Sequence, residues 1–289
     1  MSGPSTPESP PEAPTCFRHP SRKTFVSCTR CDRYICGECM RVAAAGHQCV
    51  ECVESGAKTI RQPVTQFGGR EQPSGIPVVT IALIAINVLA FVLEMALPGL
   101  EKDLALWPPA VADGQWYRLV TSAFMHYGPT HLLLNMWALF VVGPPLEMLL
   151  GRLRYGALYA LCGLGGSVLV YLISPLNTAT AGASGAIFGL FAATFVVGQR
   201  LAFDVRWVVA VIVINLVYTF VVPAVSSQLI SWQGHVGGLV TGGLVTAAYV
   251  YPPKEQRNLV QAITTILTLV VFAALIWWRT AELAAEFAV

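Results

Sequence analysis

Charge is the scarcest property of this chain. Asp, Glu, Lys and Arg make up 12% of its 289 residues, about half the roughly 25% of an ordinary soluble domain. That shortage excludes a soluble globule over most of the length. It is also uneven: residues 77–278 are almost continuous apolar stretches, whereas residues 1–75 hold most of the polar residues and seven of the eight cysteines. The first residues carry no basic segment followed by an apolar core, so no cleavable signal peptide is expected. No internal repeat is visible, and the apolar part has too few charges for an ion-coupled transport cycle. The net charge of +2 names no partner.

What remains is an all-α polytopic membrane protein behind a small soluble module. Residues 1–15 are rich in Pro, Ser, Thr and Glu with almost nothing to bury, and read as a disordered tail. Residues 16–52 form the cysteine module, and 53–76, with Gly68-Gly69, read as a linker. A spanning helix needs roughly 20 apolar residues. Seven segments qualify: 77–97, 127–150, 155–174, 183–200, 206–223, 234–251 and 259–278. The first six make a core over 77–251, and residues 252–289 hold the seventh span and a tail. The stretch 98–126 is too polar to span and reads as a loop with interfacial pieces built on Trp107, Trp116 and Tyr117.

Loop charge predicts an orientation. Arg152 and Arg154, Arg200 and Arg206, and Lys254 and Arg257 fall in loops of one side, whereas loops 175–182 and 224–233 contain no Lys or Arg. The protein is therefore expected in the cell membrane with a cytoplasmic N-terminus and the C-terminus outside. The second, fourth and sixth spans then run inward from outside. Ser184 starts the fourth and His235 the sixth, while His131 and Asn135 lie at i and i+4 on one face of the second. Parity alone brings these four to the outer half of the bilayer.

Polar groups inside membrane spans are costly and point to function. A serine hydroxyl is a weak nucleophile until a base takes its proton, and His235 is the candidate base. Gly185 and Gly189, and Gly238 and Gly242, form small-xxx-small faces that let helices touch closely. Asn135, His131 and the Ser184 backbone N–H are candidate donors to an oxyanion. No Asp is placed to orient the histidine, so a Ser–His dyad is expected rather than a triad.

These residues resemble the rhomboid family of intramembrane serine proteases over roughly 77–251. The likeness rests on Trp116-Tyr117-Arg118, His126-x4-His131-x3-Asn135, Gly182-x-Ser184-Gly185-x2-Phe188-Gly189 and His235-x2-Gly238-x3-Gly242. The loop motif departs from the usual Trp-Arg, and Arg118 reads as a loop anchor. The resemblance implies a six-helix bundle plus one C-terminal transmembrane helix. It implies Ser184 as nucleophile, His235 as base, His131 and Asn135 at the oxyanion, and Phe188 packed on the imidazole, with Gly182, Gly185, Gly238 and Gly242 in support. The implied reaction cleaves transmembrane protein substrates within the lipid bilayer through an acyl-enzyme, with no catalytic cofactor. Substrates would carry helix-weakening residues and a small residue before the cleaved bond. The rival reading is a catalytically silent rhomboid-like protein that binds membrane clients. His126 supports the loop, caps a helix or takes part in catalysis.

The cysteine module runs Cys16-x2-His19, Cys28-x2-Cys31, Cys36-x2-Cys39 and His47-x-Cys49-x2-Cys52. Four such pairs signal metal, and eight ligands suffice for two tetrahedral zinc ions. A cytoplasmic location argues against disulfides. Pairs taken alternately give Cys16, His19, Cys36 and Cys39 for one site and Cys28, Cys31, Cys49 and Cys52 for the other. That scheme resembles B-box-type zinc fingers, with His47 spare or replacing a cysteine. The zinc is structural and would supply the folding energy. Arg18, Arg22, Lys23, Arg30, Arg33 and Arg41 suit anionic lipid or a protein partner; no nucleic-acid motif is present.

Overall fold

The computed structural model describes residues 12–59, 63–71, 75–225 and 230–287. The chain divides into two compact units, Met1–Gln62 and Pro63–Val289. The expected disordered tail up to residue 11, residues 60–62 and 72–74 of the expected linker, and residues 226–229 of one uncharged loop lie outside the described residues.

The first unit is poor in regular structure. Strand β1 (Met40–Val42) pairs antiparallel with β2 (His47–Cys49), Met40 opposite Cys49 and Val42 opposite His47. Single bridges join Thr15 to Lys23 and Ser27 to Tyr34. Helix α1 (Val50–Thr59) follows, so the first part of the stretch expected as linker is helical. The buried residues are Cys16, Cys28, Cys36, Cys39, Cys49 and one large aliphatic, Ile35. A core this small cannot hold a domain together by apolar burial alone.

The second unit is helical. Helix α2 (Val78–Ala96) leads into a connection built of α3 (Leu100–Leu104), α4 (Pro108–Ala112), α5 (Arg118–Thr121) and a 3-10 turn at Ser122–Phe124. Six long helices follow: α6 (Pro129–Leu150), α7 (Arg152–Ile173), α8 (Ser184–Leu201), α9 (Arg206–Val225), α10 (Trp232–Val250) and α11 (Arg257–Phe287). Among the described residues, five helices are long and apolar enough to cross a membrane: α2, α6, α7, α8 and Arg257–Glu286 of α11. The seven expected spans fall on the seven long helices α2 and α6 to α11. The described apolar part of α9, Arg206–Val222, is shorter, and α10 falls outside the set. The α10 sequence explains this: five glycines, Gln233, His235 and two threonines dilute its hydropathy. Its glycine face is turned into the bundle, where helices pack on it instead of lipid.

Helices α7, α8 and α10 form the tightest packing in the unit. A Cβ on Gly238 would overlap the Gly185 carbonyl, and one on Gly242 the Gly189 carbonyl. The two spaced glycine pairs therefore face each other, backbone against backbone, as close helix contacts in lipid require. Helix α11 packs beside α7 and α10.

Glu147 of α6, fully buried, anchors the start of α2. Its carboxyl oxygens accept from the backbone N–H of Val79 at 3.0 Å and of Thr80 at 2.8 Å, and from the Thr80 hydroxyl at 2.9 Å. The first N–H groups of a helix have no partner of their own, and the positive helix end favours an acidic group. A neighbouring helix thus supplies the cap that Pro77 cannot.

Arg118 ties down the connection. Its guanidinium donates to the carbonyls of Lys102 at 2.7 Å and Ala105 at 2.8 Å, and to Gln115 Oε1 at 2.7 Å. Trp107, Trp116 and Tyr117 are exposed. Leu106 bridges to Thr180, and the N–H of Gly182 donates to the Ser122 carbonyl at 2.9 Å. The connection thereby fixes the strand-like segment that enters α8 at Ser184.

Candidate active site

Ser184 is the first residue of α8, entered through Gly182 and Ala183. His235 is in the first turn of α10, whose cap is Ser231, its hydroxyl accepting from the Gly234 N–H at 3.2 Å. Because the glycine seam draws these helices together, Ser184 Oγ lies 2.9 Å from His235 Nε2. Phe188, one turn after the serine, stacks on the imidazole with ring centres 4.1 Å apart and planes 7° from parallel.

Gly182 adopts φ +134, in the region that favours glycine. The position a side chain would take there lies 3.1 Å from His131 Nε2 and 3.6 Å from Ser184 Oγ. Glycine thus keeps open the space between the hydroxyl and the second imidazole. His131 sits in the first turn of α6. Its Nδ1 accepts from the Tyr127 backbone N–H at 3.3 Å, and the Tyr127 ring stacks on it at 6.1 Å. A neutral imidazole bonded in this way carries its proton on Nε2, the nitrogen facing that space. Asn135 is buried and uses one amide hydrogen on the His131 carbonyl at 2.8 Å, leaving the other without a partner among the described residues. The amide N–H groups of the first turn of α8 have no helical carbonyl to bond.

His126, before α6, is buried with Nδ1 3.2 Å from the Phe124 carbonyl. Burial, helped by His131, holds its imidazole down to about 4, so it is neutral at ordinary pH. Its backbone N–H donates to Glu94 at 3.2 Å, which makes it part of the loop support.

Sequence reading missed one contact of His235. Its Nδ1 lies 2.8 Å from Thr219 Oγ1 on α9, and the Thr219 hydroxyl is 2.7 Å from the Asn215 carbonyl. The available signal was a pair of polar residues four apart on an otherwise apolar helix, at the end that parity brings to the site.

The first unit gathers its ligands into two groups. Cys16, His19, Cys36 and Cys39 form one, and Cys28, Cys31, Cys49 and Cys52 the other. In each, the potential ligand atoms lie within 4.8 Å of one another, close enough to hold a metal ion. His47 belongs to neither. His19 turns Nδ1 to the thiols, 3.3 Å from Cys36 Sγ and 3.4 Å from Cys39 Sγ. Its Nε2 is 4.0 Å from Glu38, the outer carboxylate that metal-binding histidines favour. The Cys49 N–H donates to Cys28 Sγ at 3.2 Å, and Arg33 Nε to Cys31 Sγ at 3.3 Å. Burial raises the Cys28 thiol, but the amides of Cys49, Arg30 and Cys31 outweigh it and bring it down to about 6. These donors stabilise thiolate, the form that binds metal.

Residues 113–253 match the rhomboid domain family. The chain is 35% identical over 185 residues to the Bacillus subtilis protein named "Putative rhomboid protease YdcA", spanning 63% of this chain and 92% of that protein. It is 33% identical over 213 residues to "Rhomboid protease GluP" of the same bacterium, 69% of this chain and 40% of that protein. It is 25% identical over 229 residues to "Rhomboid protease AarA" of Providencia stuartii, 66% of this chain and 79% of that protein.

Proposed function

This chain belongs to the rhomboid family of multi-pass membrane proteins, and from that premise we propose that it is an intramembrane serine endopeptidase acting through Ser184 and His235. One observation carries the reading: a serine hydroxyl 2.9 Å from an imidazole Nε2 inside a bundle of apolar helices. The relatives named as proteases support it.

The Ser184 Oγ attacks a substrate carbonyl carbon while its proton passes to His235 Nε2. The carbonyl oxygen becomes an oxyanion, and donors already aimed at it stabilise that charge without reorganising. His131 Nε2–H, the other amide hydrogen of Asn135 and the Ser184 N–H are the candidates. The C–N bond then breaks, and His235 returns its proton to the leaving amine. Water, deprotonated by the same imidazole, hydrolyses the ester and frees Ser184. Phe188 holds the imidazole plane through these transfers.

Substrates are transmembrane proteins whose helix unwinds locally, since a helix keeps its carbonyls bonded. Loop charge puts the first unit on the cytoplasmic side and the site towards the outside. The catalytic core is residues 77–251, with 252–289 appended. The first unit carries two structural zinc ions, one on Cys16, His19, Cys36 and Cys39 and one on Cys28, Cys31, Cys49 and Cys52. Two sets of soft donors with tetrahedral number support zinc.

The reconstituted protein is expected to cleave a reporter with an unstable transmembrane segment, and Ser184→Ala to lose at least about 10⁴-fold in rate. Equal cleavage by both would refute the assignment. Absence of cleavage by the wild type with retained client binding would favour the silent binding protein.

A further inference from the structure

A catalytic histidine works as a base only if the nitrogen facing the nucleophile has a free lone pair. The two ring nitrogens of His235 each have one hydrogen-bond contact among the described residues: Nε2 to Ser184 Oγ at 2.9 Å and Nδ1 to Thr219 Oγ1 at 2.8 Å. Thr219 Oγ1 has a second neighbour, the Asn215 carbonyl oxygen, at 2.7 Å. A carbonyl only accepts, and a hydroxyl has one hydrogen to give. With that hydrogen on Asn215, Thr219 meets Nδ1 with a lone pair, so Nδ1 must be the nitrogen that carries the proton. Nε2 is then unprotonated and faces the serine.

We propose that Thr219 is a positioning residue that locks His235 in the Nδ1–H tautomer and so makes Nε2 the base. This deepens the protease reading and rests on it. The residue takes the orienting place that a carboxylate fills in a Ser-His-Asp triad. Unlike a carboxylate, it brings no charge into the membrane.

Two further observations support the assignment. Thr219 is 2% exposed on a helix that is otherwise open: among the described side chains of α9, Val208 alone shares its burial. The polar group that α9 commits to the interior is thus the one touching the catalytic ring. A threonine in a membrane helix often bonds the carbonyl four residues back and does nothing more; the Nδ1 contact is what that reading omits. Meanwhile the Tyr127 N–H donates to His131 Nδ1 and puts that proton on Nε2. The two imidazoles of the site therefore hold opposite tautomers. One accepts from the serine, and the other donates towards the space beside it.

The test is Thr219→Val, which keeps the shape and removes the hydroxyl, against Thr219→Ser, which restores it. In the full chain reconstituted with a transmembrane reporter, Thr219→Val should lower kcat about tenfold, the worth of one neutral hydrogen bond, with KM unchanged. Thr219→Ser should recover most of it. Nitrogen NMR of ¹⁵N-histidine protein should give an Nδ1–H signature for His235 in the wild type and mixed tautomers in Thr219→Val. Wild-type kcat in Thr219→Val, equal losses in both variants, or an Nε2–H signature in the wild type would each overturn the proposal. A wild type that cleaves nothing but keeps the Nδ1–H signature would remove the protease reading and leave the tautomer assignment standing.

Discussion

The first unit buries five cysteines and a single isoleucine. The second buries an extended cluster of aliphatic and aromatic side chains spread over its long helices. Where apolar residues are few, polar ligands converge to make an interior at all, and a metal ion held by them would supply the energy. Where apolar residues are plentiful, each buried polar group is an expense that its partners must offset. Glu147 is met by the start of α2, Arg118 by loop carbonyls, and His235 by Ser184 and Thr219. In the first unit polar residues build the fold; in the second the fold is built without them, and they mark its joints and its chemistry.

Metal removal should separate the two units most sharply. Structural zinc contributes about 10–16 kcal/mol to small fingers. The purified chain should carry about two equivalents, one per ligand group. A strong chelator should make residues 12–59 sensitive to protease while the helical signal of the membrane unit persists. A metal-free module that resists protease would end the contrast.

Gly238→Val would sharpen the account of the second unit. Its side chain would enter the Gly185 carbonyl, which cannot move away as a side-chain tip can. Overpacking costs about 1–3 kcal/mol in ordinary cores, and here it wedges α8 from α10. Hydrolysis should fall by more than thermal stability does, because the 2.9 Å Ser184–His235 contact spans the same seam. Unchanged activity would mean that the seam does not set that distance.

Glu147→Ala should have the smallest effect. It strands two backbone N–H groups and should lower the stability of the membrane unit by about 1–3 kcal/mol. Activity per folded molecule should stay near wild type, since the bonds of Glu147 to Val79 and Thr80 serve the start of α2. A loss of activity without a loss of stability would contradict its role as a cap.

The sequence made some of this legible because distance along the chain did not hide it. Helix parity and loop charge suffice to bring Ser184, His235, His131 and Asn135 to one end of the bundle. Alternate CxxH and CxxC pairs give the two ligand groups, because spacing within a pair is local. The glycine pairs announce a close approach, though not that Gly166 of α7 also comes up against Gly234. Two things were not legible. The partner of Glu147 lies 67 residues away on another helix. Thr219 looks like any membrane threonine until the rotation of α9 about its axis is known.

The protease reading stands or falls with Ser184 as a nucleophile activated by His235. The most direct measurement is intact-mass analysis of the purified, detergent-solubilised chain after treatment with a fluorophosphonate. One added phosphonyl group is expected, mapped to Ser184 and lost in both Ser184→Ala and His235→Ala. No adduct, or an adduct at Ser184 that forms equally fast without His235, would contradict it.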